Sequence, residues 1–153
     1  MLTGKDYCDY DTCVALKELG FSEPTLAYYH GFLSSKPLLY LVIDEDCMPK
    51  DGVNVFDLLS NSNKYKDSKN IDAPTLWEAQ KWLREEKGIF VYIDVPWKTD
   101  DGLGWSYFCC NKPMTEEDKE VCFASGGFYD SYEEALSEGI KEAVKLLKDV
   151  IGE

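Results

Sequence analysis

Apolar positions in the second half of the chain fall into two alternating periods. Leu76, Ala79 and Leu83 recur at helical spacing from the helix start Pro74-Thr75-Leu76-Trp77-Glu78 onward. Thr75 is placed to cap this helix, and Glu78, three residues on, completes a capping box. Gly88 is the stop. Ile89, Val91, Ile93 and Val95 then alternate with Phe90, Tyr92 and Asp94, the period of a strand with two unlike faces. Asp100-Asp101-Gly102-Leu103-Gly104 carries turn chemistry, and Trp105–Cys110 predicts the returning strand. An acidic loop around Thr115-Glu116-Glu117-Asp118 leads to a third strand near Glu120–Ser125. Ser131 and Glu134 form a second capping box, after which Leu136, Ile140, Ala143, Val144, Leu147 and Ile151 repeat at helical spacing. Residues 74–152 therefore predict α-β-β-β-α: an antiparallel β-meander with amphipathic helices packed on it, an α+β fold.

The first half is patterned more weakly. Asp11–Gly20 predicts a short helix, with Asp11 as N-cap, Cys13, Leu16 and Leu19 on one face and Gly20 as its end. Thr25–Phe32 and Pro37–Asp44 are rich in strand formers, and Gly31–Lys36 between them predicts a hairpin turn. Asp57–Ser60 is too short a pattern to assign. Residues 60–73 are polar and aperiodic, a loop-like segment between an N-terminal subregion and the C-terminal unit. About 60 residues make a marginal core, so a single domain over 1–153 is expected, with the N-terminal helix and hairpin packed alongside.

Composition narrows the function classes. Apolar residues are 44% and aromatics 14% of the 153 residues, which excludes a disordered chain. Twenty-nine acidic residues against 16 basic ones give a net charge of -13. Arg84 is the sole arginine, and an arginine-poor polyanion is a poor phosphate binder, so no nucleic acid partner is expected. No run approaches the ~20 apolar residues of a membrane-spanning helix, so no membrane partner is expected either. The first residues show no secretory pattern, and a cytoplasmic location is the expectation. On that basis Cys8, Cys13, Cys47, Cys109, Cys110 and Cys122 are expected to be reduced thiols packed as small hydrophobes.

Familiar chemistry is hard to assemble from what remains. The order α-β-β-β-α is shared with double-stranded RNA-binding domains, but those place lysines where the last helix here opens on Asp130, Glu133 and Glu134. Zinc is disfavoured because Cys109 and Cys110 are adjacent on a strand and point to opposite faces, and His30 is the only histidine. A Cys–His nucleophile would depend on that same His30, which sits in the strand-like Tyr28-Tyr29-His30-Gly31-Phe32. An EF-hand loop from Asp44 would put Met48 and Pro49 where an oxygen ligand and a glycine belong. No catalytic residue, cofactor or metal ligand is assigned. Asp44-Glu45-Asp46 and Asp100-Asp101 leave a carboxylate- or divalent-metal-dependent hydrolase as an alternative.

Aromatic residues give the one candidate surface. Phe90, Tyr92, Trp97, Trp105, Tyr107 and Phe108 are more than one face of a three-stranded meander must bury. Tyr92, Trp97, Trp105 and Tyr107 are the candidate partner-binding residues, unless the N-terminal elements cover that face. The second half also resembles small uncharacterised proteins of prophages and mobile elements of gut anaerobes. The likeness lies in Pro74-Thr75, Trp82-Leu83-Arg84, Gly88-Ile89 and the helix start Tyr129-Asp130-Ser131-Tyr132-Glu133-Glu134-Ala135-Leu136, with Leu16-Lys17-Glu18-Leu19-Gly20-Phe21 in the first half. That resemblance implies an accessory intracellular protein and transfers no active-site residue. The expectation is a protein of unknown function acting as a small acidic non-catalytic interaction protein with a protein partner. A DNA mimic that inhibits a nucleic-acid-binding protein is a second alternative. The sequence sets no oligomeric state.

Overall fold

The computed structural model describes residues 2–30, 38–42, 60–65, 67–94, 96–111, 122–125 and 127–151. The turn at Gly31–Lys36, the acidic stretches Asp44-Glu45-Asp46 and Thr115-Glu116-Glu117-Asp118, Cys47 and most of Asp57–Ser60 lie outside them. The fold is α+β, with three α-helices and antiparallel sheets among the described residues. It divides into two compact units, residues 7–75 and residues 1–6 with 76–153.

In the 7–75 unit, helix α1 spans Tyr10–Glu18. It starts earlier than predicted: Asp9, in extended backbone, is the N-cap, and its side chain accepts the Thr12 N–H at 2.9 Å. Asp11 falls in the first turn, where a carboxylate suits the positive end of the helix dipole. The other end is a Schellman motif. Gly20, at φ +99°, lets the Phe21 N–H reach the Leu16 carbonyl at 2.9 Å and its own N–H reach Lys17 at 3.0 Å. Phe21 and Leu16, brought together by that motif, are fully buried.

Strand β1 (Ala27–His30) is the centre of an antiparallel sheet, flanked by β2 (Leu39–Leu41) and β3 (Asn70–Ala73). The β1–β2 register, Ala27 opposite Leu41, is that of the predicted hairpin. Strand β3 corrects the sequence reading, which placed 60–73 in a loop. Its polarity has a structural cause. Asp72 is completely buried, and its carboxylate accepts from Ser60 Oγ and from the N–H groups of Ser62 (3.0 Å) and Asn63 (2.9 Å). Asn63 accepts the Asp72 N–H at 3.1 Å through Oδ1 and donates to the Phe21 carbonyl at 3.1 Å through Nδ2. A polar strand is stable here because the buried Asp72 carboxylate and Asn63 amide are hydrogen-bonded, which offsets the desolvation penalty that periodicity rules assume.

The 76–153 unit follows the predicted order. Helix α2 (Leu76–Lys87) ends at Gly88, φ +66°, and runs into β4 (Ile89–Ile93). Strands β4, β7 (Tyr107–Asn111) and β8 (Cys122–Ala124) form the antiparallel meander, with β7 central. Helix α3 (Tyr132–Ile151) packs on β4, β7 and α2. Its contact is close at Gly139, where a Cβ would lie 2.6 Å from Val91 Cγ1 and 3.2 Å from Tyr107 Cβ. The departure from expectation is between β4 and β7. Rather than one returning strand from Trp105, an inserted hairpin, β5 (Trp97–Thr99) and β6 (Gly102–Gly104), turns on Asp100-Asp101. Trp105 then bridges to Tyr129, and β7 begins two residues later. Among the described residues no helix is long and apolar enough to cross a membrane.

Candidate functional site

The meander has unlike faces. Val91 and Cys109, cross-strand neighbours, are buried with Ile89 and Tyr107 on the face that carries the helices. Period-two alternation sends Phe90, Tyr92, Phe108 and Cys110 to the other face. Tyr92 and Phe108 stand opposite each other with rings stacked at 5.6 Å and 18°. Tyr92 remains 48% exposed, so this stack is not sealed.

The inserted hairpin extends that face into a groove. Thr99 Oγ1 donates to the Gly102 carbonyl at 3.0 Å and closes the hairpin turn. Segment 127–129 is laid beside the hairpin by paired backbone bonds, Trp105 N–H to Tyr129 at 2.9 Å and Tyr129 N–H to Trp105 at 2.7 Å. Ser125 Oγ braces its start, accepting the Tyr107 N–H at 3.2 Å and donating to the Gly127 carbonyl at 3.1 Å. Gly104 permits the approach of Phe128, since a Cβ there would sit 2.7 Å from Phe128 Cβ. Between these walls is a groove of about 230 Å³, lined by Trp97, Phe108, Phe128, Ala124 and two serines among others. Trp97 is 62% exposed, Leu103 on the hairpin 59% and Phe128 57%. Trp97 and Phe128 are thus large apolar side chains held in water on one groove by a hydrogen-bonded scaffold, whereas Leu103, opposite Lys98 in the register, is on the other face of the hairpin.

The four residues singled out from sequence are thus not equivalent. Trp97 is a wall of the groove, and Tyr92 lies on the same sheet face, against Phe108. Trp105 is half-buried, edge-on to Tyr132 at 5.6 Å. Tyr107 borders the groove but its ring is buried and stacked on Tyr129 at 6.0 Å. Burial, followed by the negative potential of Tyr129, Glu142 and Glu138, pushes the Tyr107 hydroxyl up to about 12. Phe128 belongs to the groove and is not among the sequence candidates. Its signal is in the dipeptide Gly127-Phe128, where the neighbouring side chain is missing.

Elsewhere the side chains argue for packing. Cys8, Cys13 and Cys109 are buried free thiols, and desolvation by burial pushes Cys109 up to about 11 and raises Cys13 well above the ordinary range. Cys110 corrects the expectation of six reduced thiols: it is disulfide-bonded, and the register sets the backbone of Cys122 directly across from it. Among the described residues no group of three or more His, Cys, Asp or Glu is arranged to hold a metal ion. A second apolar region, Leu38, Tyr40 and Leu41, lies on and beside β2 at the edge of the other sheet. No family model, curated protein or solved structure matches this chain.

Proposed function

We propose that this is a non-catalytic interaction protein that engages a protein partner through the aromatic groove of its C-terminal unit. The observation that carries this reading is the exposure of Trp97 and Phe128 on the walls of one braced groove. Large apolar side chains cluster at the centres of protein interfaces because truncating them there removes most of the binding energy. The accessory role for a mobile element rests on the resemblance at Pro74-Thr75 and Trp82-Leu83-Arg84 and adds no residue to the site.

The alternatives draw less support. A DNA mimic needs an uninterrupted acidic surface, yet α3 interleaves Glu138 and Glu142 with Lys141, Lys145 and Lys148, and Glu138 is paired with Lys141 at 2.9 Å. A divalent-metal hydrolase needs converging carboxylates; the described residues hold no group of three or more His, Cys, Asp or Glu placed to bind an ion, and Asp44-Glu45-Asp46 lies outside them.

The test is comparative capture from a lysate of the native host. Wild-type protein and a control altered at Leu38→Ser and Tyr40→Ser should retain the same stoichiometric protein. Trp97→Ser with Phe128→Ser should reduce its recovery by about tenfold or more. Equal recovery by all three would overturn the groove as the binding surface.

A further inference from the structure

The groove is apolar, but its surroundings are not neutral. Along the segments that build it, residues 94–111 and 122–134, the acidic residues are Asp94, Asp100, Asp101, Asp130, Glu133 and Glu134, against Lys98 alone. Asp100, Asp101 and Asp130 are exposed. Asp100 and Asp101 sit in the turn of the hairpin that carries Trp97, and Asp130 follows Phe128 by two residues. The walls themselves are aromatic, with Trp97, Phe108 and Phe128 all facing one space of about 230 Å³. Aromatic faces carry negative quadrupole potential, and a cation held over them within about 6 Å is attracted. Acidic side chains outside the walls raise the local concentration of cations without forming a direct ion pair.

Resting on the docking reading above, we infer that the groove takes a cationic side chain of the partner, arginine or lysine, over the rings of Trp97, Phe108 and Phe128. Two features separate this from general stickiness. A neutral aliphatic side chain would gain from the walls but nothing from the acidic residues of the segments that build them. Conversely, an anionic segment would be repelled by them. A cationic side chain satisfies both, because its methylene stem covers apolar surface while its head lies on the ring faces. The pairing suits arginine best, since a planar guanidinium stacks on aromatic faces and is weakly hydrated.

The test uses the full chain and three acetylated, amidated peptides that differ at one central position: arginine, its neutral isostere citrulline, or leucine. Binding is followed by the indole N–H resonance of Trp97, assigned by its loss in Trp97→Phe. The arginine peptide should shift that resonance at a concentration about two- to fivefold lower than citrulline does. Added salt should narrow the gap. Trp97→Leu keeps an apolar wall without a ring face, and should bring arginine and citrulline closer while the far-ultraviolet circular dichroism stays unchanged. If leucine binds as well as or better than arginine, the cationic occupant is wrong and the docking groove stands. If no peptide moves Trp97 while the partner is still lost from Trp97→Ser with Phe128→Ser, the cationic occupant again fails alone. If neither experiment responds to the groove, both inferences fail together.

Discussion

At Gly139 the missing side chain is what allows α3 to reach the sheet. A methyl group there would meet Val91 at 2.6 Å and Tyr107 at 3.2 Å, both on strands that cannot withdraw without breaking their ladder. Overpacking of this kind destabilises by ~1–3 kcal/mol, against a helix-propensity gain of ~1 kcal/mol for alanine. Gly139→Ala should therefore lower the unfolding free energy obtained from urea titration by a net ~0–2 kcal/mol. Gly127→Ala, with nothing within 4 Å of its Cβ, should be near neutral. Asp72 gives a second residue-scale prediction. In Asp72→Asn, an amide N–H2 must face a donor where the carboxylate oxygens accepted from Ser60, Ser62 and Asn63. The expected loss is ~2–3 kcal/mol in the same measurement. Titration behaves differently. Burial raises the Cys109 thiol from 9.0 to about 11, so the folded state keeps a proton that the unfolded chain releases. Its contribution to stability is complete below about pH 9 and is lost as pH rises through about 11, by ~3 kcal/mol. Urea midpoints should fall over that interval in wild type and fall less in Cys109→Ala.

At the scale of elements, capping and patterning carried most of the assignments. The Ser131 N-cap of α3 holds, with the Glu134 N–H donating to Ser131 Oγ at 3.1 Å, while the Glu134 carboxylate reaches back to the Asp130 N–H at 3.3 Å. Alternation along β4 correctly separated Ile89 and Val91 from Tyr92. Two elements were illegible for identifiable reasons. Strand β3 reads Asn-Ile-Asp-Ala because a buried carboxylate organises it, and no periodicity records a hydrogen-bond network. Strands β5 and β6 have three residues each, and β6 has two glycines, too short for any period to emerge. One of those glycines, Gly104, admits Phe128 to the groove, so what hid the hairpin also makes the site. Enlarging one should show this. Gly104→Ala would push its methyl into Phe128 at 2.7 Å, and should reduce partner capture with little effect on the global melting temperature.

At the scale of the whole molecule, the net charge of -13 opposes self-association through the exposed apolar surface at neutral pH. As pH falls toward the isoelectric point near 4.4, that repulsion vanishes and light scattering should rise. Trp97→Ser with Phe128→Ser should delay the rise to higher protein concentration. The state of Cys110 bears on compartment, because disulfides persist in oxidising surroundings. Rapid alkylation of intact cells before peptide mapping should recover Cys110 cross-linked if the protein resides outside the reducing cytoplasm, and alkylated if it resides within. The sequence alone determined the α+β class, the three helices, the order of the C-terminal meander and the acidic character. These come from local periods, caps and charge, each legible within a few residues. Only the tertiary structure decided which aromatics are exposed. Tyr107 and Trp97 look alike along the chain, yet one is buried under α3 and the other stands on an inserted hairpin. Exposure depends on what packs against a residue from far away in sequence, and no local pattern contains that information.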